Sequence, residues 1–276
     1  TTPLVYSAKV LGGLNAVGFG VSLATGSHVH LDLIGTGAFT VASIATRGVN
    51  DMAALSSAFI AACATRLAGF LFYRATQTPR DLRLEDTLST PVGAFGFWFI
   101  SFAWGWLTML PHTLACGGKK APAFGRGMTT ACVLYGFGLA TEVIADIQKW
   151  NFKKHPKNRG KFCDKGLWQI SQHPNYFGNL LLWSSIWLLN APTILKKKGP
   201  GVLAASAISP VFLAMLFFGQ STGVIGPALD LADSKYNHLS SYQAYKKATP
   251  LIIPNPFKLI EKLAAALASG LGGREL

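Results

Sequence analysis

Gly166-Leu167-Trp168-Gln169-Ile170-Ser171-Gln172-His173-Pro174-Asn175-Tyr176-Phe177-Gly178-Asn179 runs directly into Leu180-Leu181-Leu182-Trp183, and this junction organises the reading of the chain. Proline fixes its own φ and keeps the residue before it extended, so His173-Pro174 marks a turn at the mouth of an apolar helix. Polar side chains held at such a boundary point to a head-group or cofactor site. They also suit an interfacial cap, in which Ser171 or Asn175 satisfies backbone donors and Tyr176 anchors the helix among head groups.

Outward from this junction the composition is that of a membrane protein. Half of the 276 residues are hydrophobic and 13% are charged, too few for the solvated surface of a soluble domain. The net charge of +13 comes from 25 Lys and Arg against 12 acids. They gather in loops, which fits membrane topology and anionic head groups, and nucleic-acid motifs are absent. Cys63, Cys116, Cys132 and Cys163 lack ligand spacing and read as buried thiols. His28 and His30 lie two apart without a further ligand nearby, which does not make a metal site. The chain starts Thr1-Thr2-Pro3, which we read as the mature end left by a removed organellar transit peptide.

The expected fold is all-α: a polytopic transmembrane bundle of about seven spans forming one integral membrane domain over 1–276, with an amphipathic C-terminal tail at 257–276. Apolar segments cover 4–25, 31–46, 52–73, 91–110, 128–150, 176–195 and 201–219. The first is rich in Gly, which lets helices approach closely in lipid. The third carries Arg66, a charge costing about 2.5 to 3.5 kcal/mol at mid-membrane, which should face a polar interior or snorkel. The fourth is dense in Phe and Trp and reads mainly as lipid-facing bulk. Pro210 should kink the seventh. In the tail, Leu259, Ile260, Leu263 and Leu267 suit a helix lying on the membrane or against a partner.

The fifth segment is the second place where chemistry shows. Glu142, Asp146 and Lys149 are spaced i, i+4, i+7 and share one helix face. Carboxylates near membrane depth need partners: Lys149, Arg66 or a ligand. A simple ion-pair stripe at the helix end has the same spacing. The basic stretch 151–165 suits phosphate binding or a positive-inside loop. With seven spans, this stretch, the loop holding Arg74, Arg80 and Arg83, and the tail share one side of the membrane.

Several ordered blocks resemble the membrane family built on the steroid 5-alpha-reductase C-terminal domain. They are Gly166 to Asn179, with Ser171-Gln172-His173-Pro174-Asn175-Tyr176-Phe177-Gly178 at its heart, then Tyr73-Arg74 followed by Asp81 and Arg83, and Glu142, Asp146, Gln148 and Lys149. The ending, from Leu229-Asp230 to Tyr242, Tyr245 and Leu251-Ile252-Ile253-Pro254, resembles it too. The reductase-like core spans about 52–256. Isoprenylcysteine carboxyl methyltransferases share only the His-Pro block. Two positions of the 166–179 block depart: Gln172 stands where the family usually has Arg, and Asn179 where it usually has an acid. Asp230 replaces the usual Glu.

The resemblance implies NADPH-dependent reduction of a carbon–carbon double bond in a lipid, sterol or isoprenoid-like substrate. It implies cofactor contacts from Asp146, Lys149, His173, Asn175, Arg74, Arg83 and Trp168, and catalytic roles for Tyr176, as proton donor or substrate contact, and Glu142. Loss of the guanidinium at 172 and the acid at 179 should weaken NADPH binding, as a coordinated neutralisation would. The alternative is a non-catalytic subunit of an organellar membrane complex that keeps the scaffold. Expected partners are therefore membrane lipids, a hydrophobic small molecule and subunits of a larger complex, with no nucleic acid.

Overall fold

A computed structural model describes residues 2–27, 29–77, 88, 90–118, 125–225 and 228–270, apart from the side chains of Ala228 and Asp230. Among them the chain is all-α. In order the helices are α1 Pro3–Thr25, α2 Leu31–Ala45, α3 Asp51–Gln77, α4 Pro91–Thr108, α5 Leu110–Ala115 and α6 Arg126–Lys154. They continue as α7 Pro174–Lys198, α8 Pro200–Ser206, α9 Ile208–Ser221, α10 Ala228–Tyr236, α11 Ser240–Ala248 and α12 Pro256–Ala268. Short 3-10 turns at Pro156–Asn158 and Gly166–Gln169 lie between α6 and α7.

The punctuation is chemical. α1, α4, α7, α8 and α12 each begin on a proline, where the missing amide costs nothing. Thr2, Thr90 and Asn255 cap α1, α4 and α12 by accepting amide hydrogens of the first turn. The break expected near Pro210 falls at Ala207, because Pro210 has no amide hydrogen to donate to the Ser206 carbonyl. Among the described residues four stretches are long and apolar enough to cross a membrane: α1, α3, α6 and Pro200–Ser221, the last spanning α8 and α9.

The chain divides into two compact units. The first is Thr1–Cys132 with Trp183–Phe212, and the second is Val133–Leu182 with Leu213–Leu276. In the first, α1 packs on α2 and α4, and α2 packs on α3. Gly18 lies under the Trp98 indole, where any Cβ would overlap the ring, so the small residues of α1 serve close approach as their pattern suggests. His30 stacks on the other part of this contact, 5.8 Å from Trp98, and bonds the Gly18 carbonyl at 3.1 Å. Phe95 and Phe99 face outward, whereas Trp98 is buried. The Arg66 guanidinium lies 5.6 Å from the Phe70 ring centre.

A buried polar network in this unit had no sequence signature. The Thr46 hydroxyl donates to the Ala42 carbonyl and so accepts from His112 Nε2–H at 3.2 Å. His112 Nδ1 then accepts from the Ser56 hydroxyl at 2.9 Å, and Asn190 Nδ2 donates to Ser56 Oγ at 2.8 Å. Residues of α2, α3, α5 and α7 are thereby tied together with every donor aimed at an acceptor.

Candidate functional site

The second unit is built around the lower half of α6. Its core joins Ile144, Ala145 and Phe152 of α6 to Cys163, Leu167, Trp168 and Ile170, and to Leu259, Leu263 and Ala266 of α12. Gly166 makes the turn possible. Its φ is +56°, and a Cβ there would overlap the Gln148 carboxamide. The Leu167 N–H donates to Gln148 Oε1 at 2.8 Å, and the Trp168 indole N–H donates to the Ala145 carbonyl at 2.9 Å. Lys149 Nζ sits 4.1 Å above the Trp168 ring centre. Trp168 is thus a buried joint between the turn and α6.

α6 and α7 come together over glycines. A Cβ on Gly178 would meet the Gly138 carbonyl oxygen at 2.7 Å, and one on Gly138 would meet the Gly178 carbonyl oxygen at 2.8 Å. This contact sets the register of two polar rungs. Asn179 Nδ2 donates to Glu142 Oε2 at 3.2 Å, and one turn away Asn175 Nδ2 donates to Asp146 Oδ1 at 3.3 Å. Both carboxyl groups are buried, at 4% and 9% exposure. The carboxamide oxygens of Asn175 and Asn179 are also buried and have no hydrogen-bond partner. Each rung thus holds one buried carboxamide acceptor that no donor meets.

His173, Tyr176 and Phe217 form a stack beside the rungs. The His173 and Tyr176 ring centres are 4.9 Å apart and nearly parallel, and Tyr176 and Phe217 are 4.5 Å apart. Burial, reinforced by the Lys149 charge, lowers the His173 imidazole to about 3, so the ring is neutral at physiological pH. Ser171 takes the local cap that its type suggests, accepting the His173 amide hydrogen at 3.1 Å and donating to the Ile252 carbonyl at 2.8 Å. Asn175 turns to Asp146 instead of to the backbone.

Gln172 and Asn179 do not meet as a lost ion pair would. Gln172 Nε2 donates to the carbonyls of Lys246, at 3.0 Å, and Thr249, at 2.7 Å, and its backbone N–H to that of Pro250. It caps the carbonyl end of α11 and holds the tail. Tyr245 adds a bond from its hydroxyl to the Trp168 carbonyl at 2.6 Å.

Of the residues singled out in the sequence, Glu142, Asp146, Lys149, Trp168, His173, Asn175 and Tyr176 all lie in this unit. Arg74 is half-buried in the last turn of α3, in the first unit. Arg80, Arg83, His28, Lys119 and Lys120, and the side chain of Asp230, lie outside the described residues. Lys153, Lys154, Lys157, Arg159, Lys161 and Lys165 are exposed. Sequence reasoning missed the glycine contact and the stacking role of Phe217. Gly178 was visible in the quoted stretch; Phe217 sits in an apolar run without any mark.

The family whose description reads "Protein of unknown function (DUF1295)" matches residues 18–249. The chain belongs to it, and it is a family of steroid 5-alpha-reductase-like membrane proteins. The chain is also similar to a probable O-methyltransferase, ustE, of Ustilaginoidea virens, with 29% identity over 103 residues, 37% of this chain. It spans only 31% of that relative's length. No solved structure matches the chain.

Proposed function

We propose that this DUF1295 protein is a membrane reductase, crossing the bilayer of an organelle about seven times, that uses NADPH to saturate a double bond of a lipid, sterol or isoprenoid-like substrate. The observation carrying this reading is the pair of rungs, Asp146–Asn175 and Glu142–Asn179. Their bare carboxamide oxygens fit a group that brings N–H donors, as a nicotinamide carboxamide does. Asp146 and Asn175 would hold that carboxamide, and Lys149 would place a positive charge near its phosphates.

When bound, NADPH supplies a hydride to one carbon of the double bond. The other carbon needs a proton, and Tyr176 is the donor: its ring is clamped between His173 and Phe217, which fixes where the phenol points. Glu142, held by Asn179, polarises the substrate from the same face.

The similarity to a protein named as a probable O-methyltransferase favours methyl transfer as a second reading. Calorimetry on the detergent-purified protein separates these possibilities. Micromolar binding of NADPH, in preference to NADP and NADH, supports the reductase. Selective binding of S-adenosylmethionine supports methyl transfer. Failure of both at millimolar concentration leaves a non-catalytic subunit of a membrane complex.

A further inference from the structure

The C-terminal helix α12 is apolar on two sides. One side buries Leu259, Leu263 and Ala266 on the α6 core. On the other, Phe257, Ile260, Ala264 and Leu267 fall in one arc at 100° per residue and are exposed. Phe257 is 81% exposed, and Ile253, just before the helix, is 72% exposed. A surface helix needs one apolar face, so the second requires an occupant.

We propose that this second face lies in the head-group layer of a bilayer leaflet containing anionic lipid. Two observations choose lipid over a protein partner. The first is depth. α12 docks on Ile144, Ala145 and Phe152, the stretch where the apolar span α6 gives way to Asp146, Gln148, Lys149, Lys153 and Lys154. A helix placed there stands at the level where hydrocarbon ends. The second is charge. Between Phe152 and Cys163, which share a core with α12, the same unit exposes Lys154, Lys157, Arg159 and Lys161. Anionic head groups complement that surface, because a negative leaflet attracts basic residues held within a Debye length of it. Two copies meeting through it would bring like charges together. The inference rests on the spanning helices and not on the reductase reading.

The test uses the full chain with Cys132→Ser, whose remaining thiols Cys63, Cys116 and Cys163 are buried. Phe257→Cys and Lys258→Cys are labelled separately with an environment-sensitive fluorophore. The protein is reconstituted into phosphatidylcholine vesicles with or without phosphatidylglycerol. Lipid-borne quencher should reach position 257 roughly threefold better than 258, aqueous iodide should show the reverse, and phosphatidylglycerol should sharpen the contrast. Equal quenching at the two positions, or cross-linking of 257 between two chains, overturns the proposal. Replacing Lys157, Arg159 and Lys161 by Glu should abolish the phosphatidylglycerol effect; its persistence removes the role of charge. The alanine set gives the same answer should the glutamates impair folding.

Discussion

Gly178 lies so close to Glu142 that a Cβ built on the glycine would meet the Glu142 backbone nitrogen at 2.6 Å. Neither atom can swing aside, since both belong to helix backbone. The side-chain rungs at 3.2 and 3.3 Å exist because this contact lets α6 and α7 approach.

Gly178→Ala should therefore separate the helices and cost about 1 to 3 kcal/mol as an overpacked core does. Gly138→Ala should behave alike. Gly136, on the same helix with nothing near its Cβ position, is the control: Gly136→Ala should be neutral or gain up to about 1 kcal/mol from helix propensity. Thermal unfolding in detergent reads all of them. Equal melting temperatures for the three variants would contradict the close contact.

Asp146→Asn removes the charge from the second rung while keeping its size. A hydrogen bond to a charged group contributes about 1.5 to 3 kcal/mol, so NADPH affinity should fall by roughly one to two decades. Asn175→Ala should weaken it in the same direction. Calorimetry measures this, and unchanged affinity with unchanged melting would remove both residues from the cofactor site.

Gln172→Ala strips two carbonyl acceptors at the end of α11 of their donor. The expected loss is about 1 to 3 kcal/mol, with earlier protease cleavage between 249 and 255. Gln172→Arg keeps donors on those carbonyls and should leave NADPH affinity where it is. Combined with Asn179→Glu, which sets a second carboxylate against Glu142, it should lower stability and bring no gain in affinity. A gain would revive the idea that 172 and 179 decayed together from an active pair.

His173 sets a pH dependence. Its folded value of about 3 lies below the ordinary 6.5, so the unfolded chain takes up the proton first. Stability contributed by the neutral ring is whole above about pH 6.5 and is lost as pH falls toward 3, by about 2 kcal/mol at pH 5. His173→Phe keeps an aromatic ring against Tyr176 and should flatten this part of the profile. A parent protein whose melting is constant from neutral pH to pH 5 would contradict the buried neutral imidazole.

Much of the architecture was legible because it depends on neighbours in the chain. Hydropathy located every long helix to within a few residues, and Pro174 set the start of α7. The i, i+4 spacing placed Glu142 and Asp146 on one face, and the tail's periodicity gave α12. What was not legible were relations across the chain. Nothing in the spacing announced that Lys149 would also lie over the Trp168 ring. Gln172 was read with Asn179 and instead serves a carbonyl end more than seventy residues away in sequence. Phe217 carried no sign of its place beside Tyr176.

By itself the sequence determined an all-α membrane chain with acids, amides and aromatics gathered at the ends of two apolar helices. Only the tertiary structure decided which amide meets which acid and which carboxamide oxygens are left bare. The physical reason is that periodicity fixes a side chain's direction about its own helix axis. The partner it finds depends on how far two helices slide and how closely they approach, and here those are set by the bare backbones of Gly138 and Gly178.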